Sequence, residues 1–466
     1  MPVSPPTAID APTLNKALRA AFDSGRTRPL EWRQEQLAGL RRMMDEGAEE
    51  LAEALRQDLG RPSMEAYAAD IGHTRAELRH IAKHVKSWMS RTKVRVPLTV
   101  APAKAWVQPE PLGVALIIAP WNYPIQLLVE PLAAALAAGN CVLAKPSELA
   151  PACSAALARL LPRYVDDDAV VVVEGGVDET TALLAERWDH IFFTGSTAVG
   201  RVVAEAAAKH LTPTVLELGG KSPTYVHASA DLEVAARRIA WGKFLNAGQT
   251  CIAPDYVLAD RSIRDALVDQ LGQRIGEFYG PDPQTSASFG RIVNDRHLVR
   301  LEGLLKAGAG TVAAGGTVDA AQRYVAPTVT VDPSPDSAVM QEEIFGPILP
   351  VLSVDGPEEA KAFITGRPKP LSLYVFAGDD AVIDSVVDGT SSGGVCVNQT
   401  LMHLVPPELP FGGVGDSGKG AYHGKAGFDA FSHHKSVLRK PVRPDLKVLY
   451  PPYRGAVEKV VRKILR

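Results

Sequence analysis

Three side chains in this 466-residue sequence have the types needed for covalent catalysis: the thiol of Cys251, the carboxylate of Glu217 and the amide of Asn122. A cysteine thiolate is a strong nucleophile, a carboxylate in an apolar run can act as a base, and an amide can donate to a developing oxyanion. Each has an ordinary alternative. A single cysteine is commonly a small buried hydrophobe, and its reactivity depends on what surrounds it. The local sequence around each candidate therefore matters more than the residue itself.

Cys251 follows the run Asp231 to Leu245, in which Leu232, Ala235, Ala236, Ile239, Ala240 and Phe244 repeat on one helical stripe behind a candidate N-cap, Asp231. Gly248 is suited to ending that helix in a left-handed conformation, and Pro254 prevents its restart. The thiol is thus expected on a rigid turn with its backbone N–H unspent. Glu217 lies in Thr214 to Val226, which reads as one strand interrupted by Gly219-Gly220. Asn122 lies in Pro120-Trp-Asn-Tyr-Pro124, a turn between the apolar strand Gly113 to Ala119 and a helix that Gly139 closes. Tyr123 beside it is placed either at a substrate entrance or in packing.

Further strands are expected at Cys141 to Lys145, Val170 to Glu174 and Asp189 to Thr194, with helices between them. That alternation predicts a doubly wound parallel sheet. The turn Gly195-Ser-Thr-Ala-Val-Gly200 opens the next helix, where backbone N–H groups could hold phosphate. Its spacing is not the dinucleotide fingerprint, so the glycines alone say little. From Lys221 to about Phe411 strands and helices alternate again, at Val257-Leu258, Tyr324 to Val331, Ile348 to Leu352, Leu373 to Phe376 and Gly394 to Asn398. This predicts a second α/β domain, with the site between the two.

Five segments, Pro120-Trp-Asn-Tyr-Pro124, Glu217-Leu-Gly-Gly-Lys221, Asn246-Ala-Gly-Gln-Thr-Cys251, Glu343-Ile-Phe-Gly-Pro347 and Pro410-Phe-Gly-Gly413, resemble the signature segments of the NAD(P)-dependent aldehyde dehydrogenase superfamily, in that family's order. The likeness runs from about Leu112 to Lys435. Gln249 to Tyr256, Leu401-Met-His403 and Tyr422-His-Gly424 resemble its class 3 branch, which acts on fatty and aromatic aldehydes. The resemblance implies Cys251 as nucleophile, Glu217 as hydrolytic base and Asn122 as oxyanion donor. It also implies Gly195, Ser196 and Gly200 around the pyrophosphate, Lys145 and Glu148 at the adenosine ribose, Glu343 on the nicotinamide ribose and Phe345 against the nicotinamide. NAD, NADP or both would serve, since Glu148 repels a 2′-phosphate that Lys145 and Ser147 could accommodate. His403 and His423 are expected to be structural.

These readings give an α/β protein of Rossmann type. The cofactor domain is expected over 1–92 and 108–218, the catalytic domain over 219–415, an oligomerisation ribbon over 93–107 and 428–445, and a tail over 446–466. The ribbon's role in a homodimer is implied by the resemblance. Ala11 to Ser90 reads as long amphipathic helix without visible chemistry. A composition of 46% hydrophobic and 22% charged residues with net charge −3 argues against disorder and against a nucleic-acid partner. Cys141, Cys153, Cys251 and Cys396 lack metal-ligand or paired spacing, so no metal is expected and a reducing cytoplasm fits. Cys141 and Cys396 are assigned to strand cores, and Cys153 to the start of a helix. The start lacks signal-peptide character, and the apolar run Ile125 to Ala138 is too short for a membrane span. The basic amphipathic end, with Val457, Val460, Val461, Ile464 and Leu465 on one stripe, is expected to dock on the protein body in preference to a membrane surface. Two other functions fit the same fold: a binding protein without catalysis, and an acyl transferase that passes the thioester to another thiol.

Overall fold

The computed structural model describes residues 9–445, 450–452 and 455–464. At the centre of its first sheet lies Val114–Ile118, five apolar residues, three of them β-branched, buried on both faces. Cys141–Lys145 and Val170–Val172 follow on one side, and His190–Thr194 and Thr214–Glu217 on the other, all parallel. In chain order the sequence across the sheet is third, second, first, fourth, fifth, with the short strand Gly418–Lys419 antiparallel at the far edge. The winding reverses between the first and fourth strands, where open α/β sheets bind ligands at the carboxyl edge.

Register then aligns the chemistry. Ile118 pairs with both Lys145 and Phe193, and Thr194 pairs with Glu217. Lys145, the Asn122 turn, Gly195 and Glu217 therefore all leave the sheet from one edge. The apolar run after Asn122 is the helix Gln126–Ala138, buried along its whole length, which explains a composition that is nonetheless too short for a bilayer. Among the described residues no helix is long and apolar enough to cross a membrane.

The chain leaves this sheet at Glu217 and enters a seven-stranded sheet at Pro223–Val226. Thr214 to Val226 is thus not one interrupted strand, as expected from its pattern, but two strands in two sheets, with Gly219-Gly220 as the crossing. Beside Pro223–Val226 lie Tyr256–Asp260, Ile348–Val354 and Thr328–Val331 on one side, and Ser372–Phe376 and Gly394–Val397 on the other. The Tyr324 to Val331 segment also divides, because Tyr324–Val325 pairs with Val318–Asp319 in a separate small sheet. Cys251 and Glu343 both precede strands here, so the amino edge of this sheet meets the carboxyl edge of the first.

The ribbon is three-stranded, Thr92–Val94, Lys104–Pro111 and Ser432–Arg439. The ends of the expected ribbon shift: Arg95 to Thr99 is not strand, Gln108 to Pro111 belongs to the ribbon, and Phe428 to Ala430 belongs to the helix Gly424–Ala430. That helix packs on Gln126–Ala138, and its apolar Phe428 is buried there. The amphipathic reading of Ala11 to Ser90 resolves into Ala11–Asp23, Leu30–Glu46, Ala48–Leu59, Ser63–Glu65, a π-helical turn Ala66–Gly72, and His73–Trp88. The tail contains the helix Gly455–Ile464. The stripe residues Val457, Val460 and Ile464 have side chains outside the described ones, and Leu465 lies outside the described residues, so the expected docking falls there too.

Candidate active site

Asp231 does cap the helix Leu232–Phe244, accepting the Val234 N–H at 3.0 Å. The helix ends at Phe244, earlier than Gly248 suggested, because the chain turns left-handed over three consecutive residues: Asn246 (φ 52°), Ala247 (φ 51°) and Gly248 (φ 74°). Two of these carry a Cβ, which disfavours that region by about 1–2 kcal/mol each. Side chains hold the turn in place. Asn246 Nδ2 donates to the Asn122 carbonyl at 3.0 Å and to the Gln249 carbonyl at 3.1 Å, and its Oδ1 accepts from Arg61. Gln249 Nε2 donates to the Asn246 and Arg291 carbonyls while its Oε1 accepts the Val293 N–H at 2.9 Å. At Gly248 a Cβ would overlap the Gly346 carbonyl, so glycine is required on two grounds.

Cys251 emerges half-buried from this turn. Burial, then the nearby Glu343 and Glu217, push its thiol up to about 12; its own amide and that of Ile252 pull the other way. Asn122 is 2% exposed and donates one N–H to the Gln249 carbonyl at 3.1 Å, which leaves its second N–H to point elsewhere. The Tyr123 hydroxyl bonds Thr250 Oγ1 at 2.7 Å, so this tyrosine both packs and walls the cavity beside the thiol. Glu217 is 3% exposed, and neither carboxylate oxygen has a hydrogen-bond partner among the described residues. Burial alone raises it well above the carboxylate range.

Cys251 is the one wall residue common to two cavities. The first, about 430 Å³, brings it together with Asn122, Ser196, Glu217, Glu343 and Phe345. The second, about 160 Å³, is walled by apolar groups including Leu127, Trp241, Ile252, Leu401 and Phe411. In the first cavity burial, then Asp255, lifts the Glu343 carboxyl to about 8, with the Gly220 amide, Lys221 and Arg300 pulling the other way. A Cβ on Gly219 would collide with this carboxylate, which explains that glycine. Phe345 meets Trp121 edge-on at 5.2 Å, and Arg300 donates to the Glu343 and Ile344 carbonyls to hold the loop.

The expected dinucleotide residues fit such a group in part. Gly195 and Ser196 stand at the cavity wall; Ser196 caps the helix Thr197–Ala208 by accepting the Val199 N–H, which leaves the Thr197 and Ala198 amides to an anion. Lys145 is only 2% exposed and donates to Glu148 at 2.9 Å, while Glu148 itself reaches solvent. Neither walls the two cavities beside Cys251. Gly200 is corrected: it is buried in the helix and absent from the cavity wall, and a Cβ there would press into Leu218. Its smallness serves packing of helix on strand.

Other placements also differ from expectation. Cys396 is half-buried on an edge strand and is not a core residue, whereas Cys141 and Cys153 are buried as expected. His403 bonds Ser372 Oγ at 2.9 Å, and His423 lies 3.4 Å from the buried Glu130. Among the described residues no cluster of metal-ligating side chains occurs. The largest omission is the helical arm. Arg61, paired with buried Asp70, donates to the Asn122 carbonyl and lies 4.5 Å from the Tyr123 ring, and Glu65 reaches Asn246. Charges on an amphipathic helix look like a solvated face in sequence, so nothing local marked them.

A doubly wound sheet of the nucleotide-binding kind docked on a second α/β unit, with a thiol at the point where two cavities meet, is the arrangement of a dinucleotide-dependent oxidoreductase. The profile described as "Aldehyde dehydrogenase family" matches residues 3–437, and the chain belongs to that family, whose members oxidise aldehydes to acids. It is 49% identical over 439 residues to the rat (Rattus norvegicus) "Aldehyde dehydrogenase, dimeric NADP-preferring", covering 94% of this chain and 96% of that protein. It is also 49% identical to the mouse (Mus musculus) "Aldehyde dehydrogenase family 3 member A2", covering 93% and 90%. The solved structure "Substrate bound state of Staphylococcus Aureus AldH" superposes with a TM-score of 0.95 at 44% identity, covering 98% and 99% of the two chains. The class 3 likeness therefore holds.

Burial of Glu217 has a measurable sign. Between the ordinary carboxyl range and its raised value the folded state binds more protons than the unfolded one, so stability falls as pH rises through that window. Glu217→Gln removes this dependence. Its melting temperature should match that of the parent near pH 4 and exceed it by about 2 °C or more at pH 8, read by circular dichroism. Gly248→Ala should have the opposite effect, losing roughly 1–3 kcal/mol in denaturant titration together with most activity.

Proposed function

We propose that the chain oxidises medium- or long-chain aliphatic or aromatic aldehydes to carboxylates with NAD(P)+, through a thiohemiacetal and a thioester on Cys251. The observation that carries this reading is the position of Cys251 between an apolar cavity suited to such an aldehyde and a second cavity holding an unpartnered carboxylate. The cofactor supplies the hydride acceptor. Everything else falls to the protein.

The Cys251 sulfur bonds the carbonyl carbon, and the resulting oxyanion is held by the free N–H of Asn122 and by the Cys251 backbone N–H, which donates to no carbonyl among the described residues. Such a preorganised donor is worth about 3 kcal/mol. When the oxyanion collapses, the C–H electron pair leaves to the acceptor and a thioester remains. Water then attacks the thioester carbon while Glu217 takes a proton from it, the C–S bond breaks, the sulfur stays on Cys251 and regains a proton, and the acid is released. A carboxylate with no other partner and a raised pKa is suited to that step. The same group disfavours transfer of the acyl chain to another thiol, and intact Cys251, Glu217 and Asn122 disfavour a non-catalytic binding protein.

The cofactor is NAD or NADP. Glu148 neutralises Lys145 and its side chain is 43% exposed, so it weakens 2′-phosphate binding without closing the site. Glu148→Gln should shift the ratio of kcat/KM toward NADP by roughly tenfold. We also place a homodimer on the ribbon, where Val94 and Leu438 are apolar and half exposed. The printed name "dimeric" of the rat relative supports this. The four free cysteines suit a reducing cytoplasm.

Purified protein assayed at 340 nm with aldehydes from acetaldehyde to decanal, benzaldehyde and a cinnamaldehyde should reduce cofactor, with kcat/KM rising with apolar size. Cys251→Ala should abolish the signal while still binding nucleotide. Absence of reduction with every aldehyde and both cofactors, in folded nucleotide-binding protein, contradicts the proposal.

A further inference from the structure

Glu65 occupies a position that the chemistry above does not use. It ends the short helix Ser63–Glu65, immediately before the π-helical turn Ala66–Gly72. Isolated π turns concentrate at functional sites. Glu65, Ala68, Ala69 and His73 from this arm form part of the wall of the apolar cavity that reaches Cys251. Its Oε2 accepts the backbone N–H of Asn246 at 2.9 Å. Asn246 is the first of the three left-handed residues that lead to the nucleophile. One carboxylate therefore touches both the aldehyde cavity and the strained turn.

We propose that Glu65 is a positioning residue: its carboxylate holds Asn246 in the left-handed conformation that aims Cys251, and an aldehyde filling the cavity covers that carboxylate and seals the clamp. The inference rests on Cys251 being the nucleophile. A charged acceptor makes a stronger bond to N–H than a neutral one, so the clamp is tightest when Glu65 is ionised. The groups around it are Arg61 on the same arm, Tyr123 from the turn after Ile118, and Tyr279 at the end of the helix Arg264–Tyr279. His73, His423 and Cys251 share the cavity wall. Burial opposes ionisation while the Asn246 amide and Arg61 favour it, leaving the carboxyl at about 7, so the clamp tightens across neutral pH.

The test compares full-length Glu65→Ala and Glu65→Gln with the parent by iodoacetamide alkylation of Cys251 without cofactor or aldehyde, followed by mass spectrometry, and by kcat with decanal. Glu65→Ala should slow alkylation and lower kcat roughly tenfold with cofactor KM unchanged. Glu65→Gln, which keeps an acceptor oxygen, should restore most of both. The parent-to-Gln alkylation ratio, which cancels the thiol's own titration, should rise from near one at about pH 5.5 to roughly threefold at about pH 8.5. Alkylation of Glu65→Ala at the parental rate, or a pH-independent ratio near one, overturns the proposal. If Glu65→Ala does not fold, the Gln ratio decides alone. Glu65-dependent alkylation in a protein that turns over no aldehyde would sustain the clamp and reject the proposed function, so the two failures are distinguishable.

Discussion

The turn Asn246–Gly248 is a conformation that its own backbone disfavours, and much of the active site consists of the side chains that enforce it. Two Cβ-bearing residues sit at positive φ, in a region that typically costs each about 1–2 kcal/mol. Asn246, Gln249 and Arg61 offset that cost with hydrogen bonds to main chain from three segments of the fold, at Asn122, Asn246–Gln249 and Arg291–Val293. Because the same bonds fix the Asn122 carbonyl, the Cys251 turn and the Asn122 side chain are set by one network. A site assembled in this way gains precision from rigidity and is correspondingly intolerant of change.

The second constraint is desolvation. Glu217 ends a strand at the carboxyl edge of one sheet, and Glu343 precedes a strand at the amino edge of the other, so the meeting of the two edges buries both carboxyls near one thiol. Burial favours the neutral form of all three groups. A positive charge placed among them would reverse that preference, and a nicotinamide ring is such a charge. The site is thus electrostatically incomplete in a way that suits the cofactor class.

How much of this was legible depended on the range of each interaction. The parallel sheets followed from short apolar runs separated by helical ones, and Asp231, Gly248 and Pro254 marked the nucleophile turn because caps and glycine conformations are local. Glu217, Asn122, Glu343 and Phe345 came through their signature segments and do meet Cys251 in one cavity. What was not legible is long-range. Arg61, in the connection before Ser63–Glu65, and Glu65 lie some 180 positions from the turn they support, and in sequence their charges look solvated. The Gly219-Gly220 crossing read as an interruption of one strand because both flanking strands are apolar, and only the sheet assignment separates them. Gly200 looked like a phosphate contact, yet its neighbour is Leu218.

The central claim is that Cys251 carries an acyl group whose release requires Glu217. Glu217→Gln mixed with NAD+ and decanal, quenched and measured by intact and peptide mass spectrometry, tests it directly. The account predicts about one equivalent of NADH formed in a burst, with a decanoyl adduct on the Cys251 peptide that persists far longer than in the parent. Steady turnover at the parental rate with no adduct, or an adduct on another cysteine, would contradict it.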